Sequence, residues 1–163
     1  MQAKVLREFS RGRHKHSACI TDALKAAEHS CKERGIRFTA IRRRVLELVW
    51  ASHEPVKAYD VLDILRNERS SAAPPTVYRA LEFLLEEGLV HKIESLNAYV
   101  GCGEPGHLDS GQFLICSSCG EVAELDDPEL VKLITEKAKQ IGFSIKDQIV
   151  EILGCCSQCL SSK

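Results

Sequence analysis

Two Cys-x-x-Cys pairs, Cys116 with Cys119 and Cys156 with Cys159, bracket a short segment near the C-terminus of this 163-residue chain. A pair at this spacing presents two thiolates from one turn, and two pairs supply the four sulfurs of a tetrahedral zinc site, each at about 2.3 Å. A set of four cysteines leaves no coordination position for a substrate, so the ion it holds is a structural staple. The staple limits the possible folds, because the two turns that carry the pairs must meet at one point. It also suits a small unit, since domains below roughly 80 residues need a metal or a partner subunit for stability.

Composition places the rest of the chain. Hydrophobic residues make up 44% and charged residues 28%, as in an ordinary soluble globular protein. No apolar run approaches the roughly 18 residues of a membrane span, and the N-terminus lacks the apolar centre of a signal peptide. The expectation is a cytoplasmic protein with no membrane partner. In that reducing compartment the eight cysteines read as metal ligands or thiols rather than disulfides. The net charge of -1 conceals a division, because residues 1–92 hold 17 Lys and Arg against 12 Asp and Glu, whereas residues 93–163 hold 5 against 11. A basic first half suits a polyanionic partner.

Residues 1–16 carry Lys4, Arg7, Arg11, Arg13 and Lys15 with little apolar content and read as a flexible basic arm. A helix is predicted from Ser17 to about Arg34, with Ile20, Leu24, Ala27 and Cys31 along one face. Thr39 caps a second helix running to about Ala51, and Ala58 to Arg69 forms a third. The fourth starts at Pro74-Pro75, where a missing N–H costs little, and stops at Gly88. Its apolar stripe is Val77, Leu81, Leu84 and Leu85, which leaves Thr76, Tyr78, Arg79 and Glu82 off the core face. Leu89 to Glu94 and Ala98 to Cys102 then alternate as a β-hairpin.

Helices followed by a hairpin make a winged helix-turn-helix, in which the fourth helix enters the major groove of double-stranded DNA. Arg79 suits bidentate bonds to guanine, Tyr78 a thymine methyl or a phosphate, and Arg42 a phosphate; a solvated outer face is the plainer reading of Arg42, Arg43 and Arg44. Further on, residues 112–115 and 122–125 read as strands around the first cysteine turn. Asp127 caps a helix with Pro128 in its first turn and Gly142 after its end, and residues 144–153 read as a third strand. The fold class is therefore α+β, with domains at 17–101 and 102–163.

Arg37-Phe38-Thr39 leading into an arginine-bearing helix, Pro75-Thr76-Val77-Tyr78-Arg79-Ala80-Leu81 and the two cysteine pairs together resemble the ferric uptake regulator family of metal-sensing dimeric repressors. Thr39-Ala40-Ile41-Arg42 departs from the threonine-proline-glutamine-arginine frequent in that family. The resemblance implies a winged N-terminal DNA-binding domain and a C-terminal α/β domain that forms a homodimer through its sheet, hence an inverted-repeat operator.

Iron- and peroxide-sensing branches of the family have a histidine- and aspartate-rich run before the first cysteine pair, where this chain has a single histidine, His107. Instead His91, Cys102, His107 and Glu124 resemble the regulatory ligands of the zinc-uptake-regulator branch, and a set containing a thiolate suits zinc over harder ferrous or manganous ions. The implied cofactor is zinc, two ions per protomer, one structural and one regulatory. The alternatives are an iron- or peroxide-sensing regulator of the same family and a zinc enzyme. Four protein ligands leave no place for a catalytic water, and no nucleophile, acid–base pair or phosphate-binding loop accompanies them. Glu121 and Asp109 lie near Glu124 as rival carboxylates, Cys155 beside Cys156 as a rival thiol, and Cys19 and Cys31 read as core residues.

Overall fold

The computed structural model, which describes residues 3–9, 16–52, 54–104 and 111–162, begins with a strand where the sequence predicts a flexible arm. Lys4–Arg7 (β1) pairs antiparallel with residues 124–126, setting Lys4 opposite Asp126 and Arg7 opposite Glu124. Opposite charges across an antiparallel pair stabilise it, so the basic residues of this segment match an acidic strand. Residues 10–15 lie outside the described part.

The domain boundary also differs from the expected one. The chain divides into a helical unit, Ser10–Leu108, and a second unit in which Met1–Phe9 joins Asp109–Lys163. The boundary predicted at Cys102 moves because that residue still belongs to the hairpin's hydrogen-bond pattern: its amide donates to the carbonyl of Leu89 at 3.1 Å.

In the helical unit, His16–Glu33 (α1), Ala40–Trp50 (α2), Ala58–Glu68 (α3) and Pro74–Glu86 (α4) pack around one apolar core. The Thr39 hydroxyl accepts from the Arg42 amide at 3.4 Å, satisfying one of the orphan donors that begin α2. Cys31 is fully buried in this core and burial pushes its thiol up, as expected of a packing residue. On α4 the buried set is wider than the predicted stripe: Ala80 and Phe83 join Val77, Leu81 and Leu84, while Leu85 is half-buried. Gly88 adopts a positive φ of 63° after the helix end, the conformation glycine allows most cheaply. Beside it, buried Glu87 takes an ion pair from Arg34, which ties the end of α1 to the end of α4.

Val90–Ile93 (β2) and Ala98–Gly101 (β3) form the hairpin, joined by a short 3-10 turn and Asn97 at φ 46°. Val56, between α2 and α3, exchanges two backbone hydrogen bonds with Tyr99, which anchors the hairpin to the helices. A Cβ at Gly101 would overlap the Trp50 indole. Gly101→Ala is expected to cost about 1–3 kcal/mol, the range for overpacking a filled site, read as a lower urea midpoint at unchanged slope.

The second unit is a four-stranded sheet in the order β1-β5-β4-β6, where β4 is Gly111–Cys116, β5 is Val122–Asp126 and β6 is Ile149–Gly154. β5 runs antiparallel to both neighbours, while β6 lies parallel to β4. The third strand is shorter than predicted, starting at Ile149 rather than Ser144. Pro128–Gln140 (α5) follows the Asp127 cap, whose carboxylate accepts from the amides of Glu129 and Leu130. No residue of α5 is fully buried, and Ile141, Phe143 and Leu153 are more than half exposed. The unit by itself therefore has a thin core and a broad apolar surface.

Candidate metal centre and nucleic-acid interface

The four cysteines meet at one end of the sheet. Cys116 ends β4, Cys119 sits in the turn that Gly120 closes at φ 76°, and Cys156 and Cys159 belong to the short helix Ser157–Leu160 (α6) and its N-cap. Their sulfurs lie within 4.8 Å of one another, with Cys119 Sγ 3.9 Å from Cys156 Sγ. Tetrahedral zinc–thiolate bonds of about 2.3 Å put sulfurs about 3.8 Å apart, so the cluster fits the ion.

The backbone also prepares the ligands. The Cys156 amide donates to Cys116 Sγ at 3.3 Å, and amide donation from Cys156 and then Cys119 brings the Cys116 thiol down to about 5. Burial instead pushes the Cys119 thiol up, so this ligand gives up a proton when a metal binds at neutral pH. Of the adjacent thiols, Cys156 is in the cluster and Cys155 outside it, the Cys155 sulfur 3.6 Å from the Ser118 hydroxyl. Among the described residues no cysteine is in a disulfide.

The expected regulatory residues divide between the two units. In the helical unit, His91 on β2 and Cys102 just after β3 bring their donor atoms within 4.8 Å. Cys102 is fully buried, and its thiol donates to the Glu104 carbonyl at 3.0 Å. A half-buried imidazole beside a buried thiol is a competent pair of zinc donors. In the second unit Glu124 is buried mid-strand, opposite Phe113 on one side and Arg7 on the other. Glu121 is buried too, but its carbonyl accepts from the Cys116 amide, placing it in the cysteine turn. His107 lies outside the described residues.

At the N-terminal end of α4, Thr76, Tyr78 and Arg79 are exposed while Val77 is buried, as the periodicity predicts. Tyr78 also borders a groove of about 230 Å³ whose other wall includes Tyr59, 64% exposed at the start of α3. The sequence shows Tyr59 only as an aromatic standing off the Val61, Leu62 and Leu65 stripe. Arg42 is anchored inside the helical unit, its guanidinium 3.6 Å from the Phe83 ring centroid and donating to the Arg37 carbonyl. Arg43 pairs with Glu28, and Arg44 bonds Glu47 and Glu68, so these arginines brace α2 against α1 and α3. All three guanidinium groups on this outer face thus have partners within the helical unit.

Residues 33–153 match the ferric uptake regulator family. The chain belongs to that family. Among its members, the zinc uptake regulation protein of Escherichia coli K12 is 39% identical over 142 residues, covering 85% of this chain and 82% of that protein. The holo form of XcZur superposes with a TM-score of 0.80 at 44% identity, covering 86% of this chain and 98% of the other. A zinc uptake regulator solved in complex with zinc and DNA also gives 0.80, at 38% identity over 88% of this chain and 96% of that one. The ferric uptake regulation protein of Neisseria meningitidis Z2491 is 30% identical over 131 residues, 78% of this chain and 89% of the other.

Proposed function

We propose that the protein is a cytoplasmic, zinc-responsive dimeric transcriptional repressor that binds inverted-repeat operators of zinc-uptake genes when regulatory zinc is bound. The observation that carries this reading is the pairing of His91 with buried Cys102 on the hairpin that directly follows the exposed Thr76, Tyr78 and Arg79. A thiolate in the set selects zinc over harder divalent ions. Likeness to the regulator solved with zinc and DNA supports the same choice.

Each residue then has a task. Cys116, Cys119, Cys156 and Cys159 hold a structural zinc. His91, Cys102, His107 and Glu124 hold the regulatory ion, which supplies the charge and four bonds that fix its ligands in one arrangement. Sharing one ion selects the conformation in which its ligands meet. DNA that fits that conformation must raise zinc affinity by the factor by which zinc raises DNA affinity. The apolar surface around Phe143 and Leu153, together with the open edge of β6, is assigned to the dimer contact, which gives two reading heads and a two-fold operator. No described helix is long and apolar enough to cross a membrane. The protein is read as a regulator and not as an enzyme.

The test is binding of the purified protein to an inverted-repeat operator with free zinc buffered over a wide range and iron and manganese as comparisons. Tightening by zinc alone is expected; tightening by iron alone, or no DNA binding under any metal, would sink the proposal. In the same assay Arg79→Ala should weaken binding by about 1–3 kcal/mol, roughly 5- to 150-fold, and relax preference at one base pair per half-site. Competition between operators differing at single positions reads that second effect.

A further inference from the structure

We infer that β1 is a positioning strand for the regulatory zinc ligand Glu124, which makes the N-terminal segment a determinant of zinc sensitivity. The inference rests on the assignment of Glu124 to the regulatory site. In the order β1-β5-β4-β6, β1 is all that separates β5 from the edge of the sheet. Arg7 stands opposite Glu124 on that side, and Phe113 on the other. Glu124 is thereby held at mid-strand with 2% of its surface exposed. A carboxylate so held has few orientations to lose when it binds a metal.

Two details show that β1 fits this place specifically. Its cations match the acids of β5, Lys4 facing Asp126 and Arg7 facing Glu124. The register also shifts between Val5 and Arg7, just before the partner of Glu124. Irregularities of this kind re-aim side chains beside functional sites. β1 lies outside residues 33–153, the stretch matched to the family, so this support is supplied by a segment the family match does not include.

The experiment uses the full-length Val5→Pro/Leu6→Pro variant. Proline at two successive positions removes backbone donors and restricts the chain where β1 must lie flat against β5. Two quantities are measured: amide hydrogen exchange at Leu125 and Asp126, and zinc binding against a competing chelator, with elemental analysis following the structural zinc. Faster exchange is expected, with the dissociation constant of the second zinc raised about tenfold, the lower end of what loss of ligand support costs in metal affinity, while the structural zinc stays. A chain lacking residues 1–9 should behave alike and excludes an effect of proline itself.

Faster exchange with unchanged zinc affinity would overturn the inference, as would unchanged exchange. Glu124→Ala separates this failure from that of the functional reading. If Glu124→Ala weakens the second zinc and the β1 variants do not, only the strand's role falls. If Glu124→Ala also has no effect, the ligand assignment falls with it.

Discussion

Replacing Cys116 and Cys119 with serine is expected to unfold the second unit while leaving α2, α3 and α4 folded. Structural zinc supplies about 10–16 kcal/mol of apparent binding energy in small zinc-dependent folds, comparable with or above the roughly 5–15 kcal/mol of a whole domain's stability. Little else in the unit could replace it. α5 buries none of its residues fully, and the sheet's buried apolar side chains are few, Phe113, Ile115, Val122 and Ala123 with the cysteines. Amides of β4 and β5 should then exchange at the rates of an unfolded chain while those of α4 remain protected. Size-exclusion chromatography should show the dimer lost, and operator affinity should drop to that of a single reading head. Exchange at β4 that matches wild type would show that the sheet stands without its staple.

Loss of the zinc response is the second large effect. In His91→Ala and Cys102→Ser, operator affinity at saturating zinc should fall to the zinc-free level, a change within the roughly 5- to 150-fold range of a 1–3 kcal/mol coupling. The fold should survive. His91 is half-buried on the hairpin, and serine at Cys102 keeps the size of a side chain whose thiol already donates to the Glu104 carbonyl. Elemental analysis should count one zinc per chain instead of two, the remaining ion held by the cysteine pairs. A variant that keeps both zinc ions yet no longer responds would place the coupling elsewhere.

Sequence order revealed the helical unit well, because each of its elements is signalled by residues near in the chain. The cap at Thr39, the prolines that open α4 and the glycine after it mark ends through local backbone chemistry, as Asp127 and Pro128 do for α5 in the second unit. The cysteine site was equally plain, since Cys-x-x-Cys spacing carries its own geometry. What the sequence hid is contact between distant segments. Nothing local in Lys4–Arg7 indicates that it pairs with Glu124, Leu125 and Asp126, so its charges resembled those of a solvated arm. The setting of Arg42 was hidden for a related reason: its partner Phe83 belongs to another helix, and only the packed structure sets the guanidinium over that ring. The nearness of Tyr59 to Tyr78 across the groove was hidden in the same way, since the two lie on different helices.

The pairing of β1 with β5 has a consequence for synthesis. Lys4 is made well before its partner Asp126, which follows 122 positions later, a delay of about 6–24 s at roughly 5–20 residues per second. In that interval every element of the helical unit, through β3, has been translated, whereas β6 and the second cysteine pair are still to come. The nascent chain can thus complete its reading head before the strands that pair two heads exist. A strand made before the helical unit thus docks only after it, and β6 completes the sheet later still.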